Sequence, residues 1–215
     1  MINKETLKEI CDYAFLNNND IVLEIGAGTG NLTKEILKRV KKVIAIEKDK
    51  KLIEILKKET KEYGDKIEII EGNFLKINLD FYFNKIVSNI PYSISRKIFE
   101  KILTKKFEIG IFVVQKEFAK KIVEKRGKNY RAISVLTQTG CDVEILKYLN
   151  RNVFYPIPNV DSAIIKLKQK FPLSDEYIKF VKNLFGKRNK KIFNRRIFEF
   201  SPQEIFNLWN MKINY

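Results

Sequence analysis

Residues 84–92 read Asn-Lys-Ile-Val-Ser-Asn-Ile-Pro-Tyr, an apolar run that ends in Asn89-Ile90-Pro91-Tyr92. These residue types suit a planar base with an exocyclic amine. The lone pair of such an amine is delocalised into its ring, which makes the nitrogen hard to alkylate. Acceptors on both N–H groups help it pyramidalise as it attacks, and the Asn89 side-chain carbonyl and Ile90 backbone carbonyl can supply two. Pro91 stiffens the turn and removes a competing N–H. Tyr92 offers a ring for stacking, worth roughly 1–3 kcal/mol per base. Four residues after a strand can also be an ordinary turn, so the argument leans on a second run upstream.

That run is Val-Leu-Glu-Ile-Gly-Ala-Gly-Thr-Gly at 22–30. Gly26, Gly28 and Gly30 let the backbone turn sharply and approach a ligand with no Cβ in the way. The helix that follows offers free N–H groups at its start. The spacing is Gly-x-Gly-x-Gly, not the Gly-x-Gly-x-x-Gly of dinucleotide binders, which weakens the case for NAD. Glu24 precedes the loop. Glu47, followed by Lys48, ends the next strand about 20 residues on, where an acid can accept from both hydroxyls of a ribose. Asn73 and Phe74 follow a third strand, placed to bond an adenine's edge and cover its face. A further aromatic cluster is Val153-Phe154-Tyr155-Pro156-Ile157-Pro158. Its prolines favour an extended loop. Phe154 would either close over the target base opposite Tyr92 or fill the core between strands; the residues alone leave that even.

These groups need elements to hold them. Helical spacing covers 4–16, 29–40, 50–63, 94–104 and 116–125, with another helix near 132–138. Short buried strands are expected at 21–25, 42–47, 67–71, 85–88 and 109–115. The alternation predicts a parallel sheet with helices on both faces. Residues 142–149 and 163–168 alternate like two antiparallel strands. After a Pro-containing break at 171–174 the chain reads helical and strongly basic. The expected division is a catalytic domain at 1–170 and a short helical domain at 171–215.

A chain of 215 residues with 45% hydrophobic and 12% aromatic content builds a real core. Its 42 basic residues against 26 acidic ones leave a net charge of +16, with a pI near 9.7. That surplus points to a polyanion, nucleic acid first, against the alternatives of a solubility charge or a Lys-rich compositional bias. The positive groups gather in Lys125, Arg126 and Lys128, and in Lys187, Arg188, Lys190, Lys191, Arg195 and Arg196. No acid occurs from 177 to 198, whereas a solvated face normally mixes signs. With Phe185, Phe193 and Phe198 nearby, this reads as a phosphate-binding surface on a small apolar core. Cys11 and Cys141 form no disulfide framework or zinc pattern. The absence of histidine excludes a Ser-His-Asp triad and any His-ligated metal. No apolar run is long enough to span a membrane, and 1–5 is no signal peptide, so a reducing, cytoplasmic setting is the expectation.

Four segments, in order over residues 22–167, carry a resemblance. Residues 24–33, EIGAGTGNLT, are similar to the glycine loop E-I-G-x-G-x-G-x-L-T of the ribosomal RNA adenine dimethyltransferases. Residues 89–95, NIPYSIS, resemble their N-[LI]-P-Y-x-[IL]-S, and 114–119, VQKEFA, their V-Q-K-E-x-A. Residues 154–163, FYPIPNVDSA, resemble F-x-P-x-P-x-V-x-S-A. The resemblance implies a Rossmann-like class I methyltransferase fold: α/β, mostly parallel, with an antiparallel last strand and a small basic helical C-terminal domain. It implies S-adenosyl-L-methionine as cofactor, held by Glu24, Gly26, Gly28, Gly30, Glu47, Lys48, Asn73, Phe74 and Asn89. It implies no metal. Asn89, Ile90, Pro91, Tyr92 and Phe154 would hold the target base. No strong general base is required, because the charged sulfonium drives the transfer and the proton can leave afterwards.

The family has two main branches. The KsgA type dimethylates adenines of small-subunit ribosomal RNA, and the Erm type modifies an adenine of large-subunit RNA. The form of 154–163 and the stretch 115–119 favour the KsgA type; Ile90 in place of Leu leans the other way. The expected partners are ribosomal RNA and the small ribosomal subunit during ribosome biogenesis, with the protein a monomer. Rival readings are a non-catalytic RNA-binding assembly factor and a DNA adenine methyltransferase. Three departures stand out. Met1 falls about where the Leu of a Gly-Gln-x-Phe-Leu segment would be. Asn73 stands where the family usually has Asp. The C-terminal unit is shorter than usual.

Overall fold

Val- and Ile-rich runs build the middle of a seven-stranded sheet, and their alternation supplies both layers of the core. The computed structural model describes residues 3–127, 129–187 and 191–211. In chain order the elements are α1 (Lys4–Tyr13), β1 (Ile21–Ile25), α2 (Asn31–Leu37), β2 (Lys42–Glu47), α3 (Lys50–Glu59), β3 (Ile67–Glu71), β4 (Lys85–Asn89), α4 (Ser95–Ile102), β5 (Ile109–Gln115) and α5 (Lys116–Val123). There follow α6 (Ala132–Gly140), β6 (Cys141–Leu149), β7 (Ser162–Gln169), α7 (Asp175–Gly186), β8 (Lys191–Ile192), β9 (Arg195–Arg196) and α8 (Pro202–Asn210).

The sheet order is β3-β2-β1-β4-β5-β7-β6. β7 runs antiparallel to both neighbours, and the remaining pairs are parallel. The expected mostly parallel sheet with an antiparallel last strand is what forms. Strand order reverses between β1 and β4, so a crevice opens there at the carboxyl ends of the strands, where open α/β sheets bind ligands.

Alternate residues of each strand face opposite layers. Val22, Val43, Val87, Ile111 and Val113 pack with Leu7, Ile36 and Leu56 under α1, α2 and α3. Leu23, Ile44, Ile86, Phe112 and Val114 pack with Phe99, Ile122 and Leu136 under α4, α5 and α6. Strands buried on both faces are apolar throughout, as in parallel sheets generally. Edge strand β3 instead carries Glu68 and Glu71, which pair with Lys42 and Lys50 and make that edge unattractive to another strand.

At the opposite end from the crevice lies a buried polar clamp. Asp20 Oδ2 accepts from Lys85 Nζ at 2.9 Å, and both side chains are at least 95% buried. Lys85 also donates to the Phe15 carbonyl at 2.6 Å, and Asn84 Nδ2 donates to Asp20 Oδ1 at 2.8 Å. The clamp joins the start of β4 to the loop between α1 and β1.

Several helices are shorter than their periodicity predicts. α1 stops at Tyr13, and Phe15 has a left-handed φ of 49°. α2 begins only after Gly30, whose φ is 86°. α3 ends at Glu59 and passes into a 3-10 turn. The larger difference is beyond 186, where the sequence pattern predicts continuous helix. β8 and β9 form a small hairpin turned by Phe193 (φ 48°) and Asn194 (φ 64°). Such turns usually announce themselves with Gly, and none is present, so the pattern reads as helix. α8 does follow, with a Ser201–Glu204 capping box and Pro202 in its first turn. The segment after 170 shares the main core: Leu173, Tyr177, Val181, Leu184, Ile205 and Leu208 join the cluster that contains Phe99 and Leu136.

Candidate active site

The glycine loop hangs from β2. Gly26 and Ala27 donate to the Ile46 carbonyl at 2.8 and 3.3 Å. Gly26, Gly28 and Gly30 all have positive φ, which other residues adopt only with strain. Gly30 is fixed a second way, because a Cβ there would lie 2.7 Å from Leu56 Cδ1. At Gly28 a Cβ would meet nothing within 4 Å, so the space over the middle of the loop is open.

Glu47 closes the loop from beneath. One carboxylate oxygen accepts from the Gly28 N–H at 2.9 Å, and the other accepts from Lys48 and Asp49 N–H at 2.8 and 3.0 Å. A carboxylate offers about four lone-pair sites, so roughly one remains for a ligand hydroxyl. Lys48 is exposed and meets this carboxylate through its backbone. Glu24 is buried one strand away. Its Oε2 and the neighbouring Thr33 Oγ1 have no hydrogen-bond partner among the described residues. Burial pushes the Glu24 carboxyl up to about 8; the Thr33 hydroxyl pulls the other way, and the Glu47 carboxylate raises it further.

The turn after β3 departs from its expected geometry. Asn73 is exposed, and its side-chain oxygen accepts from the Leu75 N–H at 3.0 Å. Phe74 is 4% exposed and belongs to the core, with Lys101 Nζ 5.0 Å from its ring centroid. Lys101 also donates to the carbonyls of Phe74 and Ile77, which closes the turn. In this arrangement Phe74 supports the turn from inside instead of presenting a ring face.

Asn89 to Tyr92 sit directly beside the glycine loop. A Cβ on Gly26 would stand in ordinary contact, 3.5 Å, with Pro91 Cδ, so the turn packs directly against the loop. Ser88 Oγ donates to the Ile25 carbonyl at 2.6 Å and ties β4 to β1 just below. Ile90 is buried and donates its N–H to the Val113 carbonyl at 3.3 Å. The half-buried Asn89 amide has no hydrogen-bond partner among the described residues. The Tyr92 hydroxyl lies 2.5 Å from Ser162 Oγ on β7. Burial raises the Tyr92 phenol above its ordinary value, and the Ser162 hydrogen bond opposes that shift, so the ring is neutral at physiological pH.

Phe154 is 8% exposed and packs with Val113, Leu149 and Ile164 on the α1 side of the sheet. Of the two readings open for it, this conformation is the core-filling one. Exposed Tyr155 and Ile157 follow it. Ser162 stands beside this candidate site, and the sequence does not single it out. Its only signal is the serine of the VDSA run, and only the strand pairing brings it to Tyr92.

The basic residues divide into groups. Lys128, Arg188 and Lys190 lie outside the described residues. Lys187 and Lys191 are exposed at the two ends of the segment between α7 and β8. Lys125 lines a hollow with Gln138, Lys170 and Phe206. Arg126 and Arg195 both pair with Glu204, at 3.2 and 2.8 Å. Arg195 also covers the Phe200 ring, and Arg196 lies 5.9 Å from that of Phe198. Arg126 and Arg195 therefore brace the C-terminal unit and are poorer candidates for phosphate contact than the exposed lysines.

The family model described as ribosomal RNA adenine dimethylase matches residues 1–214. The chain belongs to that family. A probable ribosomal RNA small subunit methyltransferase A of Thermococcus sibiricus is 43% identical over 88% of this chain and 70% of its own length. A protein of the same description from Methanosarcina barkeri is 42% identical over 90% of this chain and 69% of its own. Among solved structures, a dimethyladenosine transferase from Plasmodium falciparum superposes with a TM-score of 0.80 at 34% identity, over 89% of this chain and 72% of that one. The 23S rRNA methyltransferase ErmE gives 0.73 at 26% identity, over 95% and 82%. As a ribosomal RNA adenine dimethylase, the chain is an S-adenosylmethionine-dependent methyltransferase with an RNA substrate. Among the described residues no helix is long and apolar enough to cross a membrane, and no group of acidic or cysteine side chains could hold a metal ion.

Proposed function

We propose that this chain dimethylates the N6 amino group of adenines in small-subunit ribosomal RNA, acting as a monomer in the cytoplasm during ribosome assembly. The observation that carries the reading is the contact of the Asn89–Tyr92 turn with the Gly26–Gly30 loop, which puts amine acceptors beside a cofactor cradle. The small-subunit target is supported by 42–43% identity to proteins of that description, against 26% to the large-subunit enzyme ErmE.

The residues fit the cofactor. Open space over Gly28 and the remaining acceptor site on Glu47 are what a polar, cationic nucleoside would meet there. Bound, S-adenosylmethionine supplies a methyl group activated by its sulfonium charge. Glu47 takes a ribose hydroxyl while fixing the loop, and Lys48 and Asn73 flank it. The Asn89 side-chain oxygen and the Ile90 carbonyl accept the two N–H groups of the target amine, which localises its lone pair. Pro91 holds that geometry. Tyr92, anchored at its hydroxyl by Ser162, presents its face to the base. Phe154 reaches the other face only by leaving its core position. After transfer the surplus proton leaves the nitrogen for water, so no histidine is required.

The test is incubation with labelled cofactor and three acceptors: under-methylated small subunits, large-subunit RNA and duplex DNA, followed by mapping of the modified base. Label on N6 of a small-subunit adenine is expected. Label confined to large-subunit RNA or DNA defeats the assignment. Asn89→Ala should abolish transfer while barely altering cofactor affinity, and near-parental turnover in that variant would remove the amine-acceptor role.

A further inference from the structure

Away from the glycine loop, α4, α5, the start of α6 and the end of α7 surround a hollow of about 550 Å³. Four cations line it, each from a different element: Arg96, Lys121, Arg131 and Lys182. Phe118 and Phe185 form apolar walls. Both rings are held from behind. Phe118 meets Phe99 edge-on at 5.1 Å, and Phe185 meets Tyr130 edge-on at 5.5 Å.

The lining of the hollow has a local positive excess: four cations and, among the described residues, no acid line it. Beside the hollow one carboxylate, Glu100, receives both Arg96 Nε and Lys182 Nζ at 2.9 Å. Arg131 donates to the Tyr130 carbonyl at 2.9 Å. A solvated cationic face would be convex and of mixed sign; this one is concave and backed by aromatic rings. Cations tracking phosphates beside ring faces for bases is how single-stranded nucleic acid is held, and the volume lies within the usual range for a small-ligand pocket, about 300–1,000 Å³. The hollow also starts close to the base site. Arg96 is in the first turn of α4, four residues after Tyr92.

We propose that this hollow holds a nucleotide adjoining the target adenine on the same RNA strand. Its phosphate lies against Lys121, with Arg96 and Lys182, which share the single charge of Glu100, adding a positive surplus beside it, and its base lies against Phe118 and Phe185. The proposal rests on the reading of the chain as an RNA adenine methyltransferase, and it adds a site that the target-base turn does not contain.

The experiment uses the full chain, a short single-stranded RNA containing the target adenine, and versions of that RNA in which one flanking phosphate at a time is an uncharged methylphosphonate. The variant is Lys121→Ala with Lys182→Ala, both exposed residues outside the catalytic turn. RNA affinity should fall by roughly tenfold or more in the double variant. The slope of log affinity against log salt should flatten by about 0.7 for each phosphate that is no longer neutralised. Cofactor affinity and thermal unfolding should stay unchanged. Neutralising one particular flanking phosphate should weaken binding to the parent and have little further effect on the double variant. Equal losses in both proteins, or no weakening in the variant, overturn the proposal, and if the parent still methylates RNA the methyltransferase reading survives. A parent that methylates no RNA defeats that reading and this proposal with it. Binding of an acidic peptide in preference to the oligonucleotide would assign the hollow to a protein partner and also overturn the proposal.

Discussion

The contact between Tyr92 and Ser162 would fix the ring proposed to stack on the target base. A phenol held only at its ring pivots, whereas one anchored at its hydroxyl by a fully buried serine on another strand does not. Ser162→Ala and Tyr92→Phe should each lower kcat by roughly 2–10-fold, the value of one hydrogen bond. Their combination should be no worse than either alone, since both remove the same interaction. Steady-state kinetics on the four proteins would check this; fully multiplicative losses would mean that the hydroxyls act separately. Tyr92→Ala removes the stacking as well, about 1–3 kcal/mol, and should be the slowest. A second expectation concerns Glu24. Its folded carboxyl titrates near 8, against the ordinary value of 4.5, so the folded state binds the extra proton between those values. Stability rises with pH only where the unfolded state holds more protons. Here the reverse applies: the contribution is full below pH 4.5 and is lost progressively as pH rises to about 8. Without cofactor, denaturant unfolding should show a decline on the order of a few kcal/mol over that window, and Glu24→Gln should flatten it. Glu24, Glu47 and Asn89 to Tyr92 are legible as candidates because each stands at or near the end of its own strand. Ser162 is not legible, since its partner is 70 positions away and only the β5–β7 pairing brings it near.

Among the elements, the strands are the most legible part. β1, β2, β3 and β5 begin and end where apolar runs meet charged or turn residues. Helix ends are not, because they depend on single backbone angles at Phe15 and Gly30 that periodicity does not record. The conformation of the turn after β3 is not recorded in the sequence for a related reason. An Asn-Phe pair looks like an adenine site, yet the Phe74 ring points into the core and Lys101 ties down the carbonyls. The Asp20–Lys85 clamp anchors β4 at its start and so bears on where its far end, Asn89, comes to lie. Removing one member of a buried pair leaves an uncompensated charge and typically costs about 3–5 kcal/mol. Lys85→Ala should therefore lower unfolding free energy by that order, measured in urea. Replacing Asp20 and Lys85 together by apolar residues of similar size should recover much of the loss. A double variant as unstable as the single one would indicate that Lys85 acts mainly through the Phe15 carbonyl.

For the molecule as a whole, the division expected near residue 170 is less marked in the core than in the sequence. Composition changes there, but Tyr177, Val181 and Leu208 enter the same apolar cluster as Phe99. Thermal unfolding should accordingly show one cooperative transition, and a chain ending at 170 should expose that surface and lose solubility. Two resolved transitions by calorimetry would count against this. The surplus of 16 positive charges marks a polyanion partner, but not every cation contributes. Arg126 and Arg195 are committed to Glu204. Neutralising Lys187 and Lys191 should weaken RNA binding alike for all sequences and flatten its salt dependence by roughly 0.7 per phosphate, whereas Arg195→Ala should chiefly lower stability.

The place of β7 between β5 and β6 also bears on how the protein is made. Synthesis proceeds from the amino end, so β5 emerges well before its partner on that side. Until residue 169 is available, the apolar run Ile109–Gln115 presents an unpaired strand edge. Such an edge is a template for another chain. The nascent protein thus passes through an interval, from the completion of β5 to the insertion of β7, in which it is most open to aggregation. Slow translation across 116–161 would lengthen that exposure, and a holdase chaperone that covers β5 would shorten it.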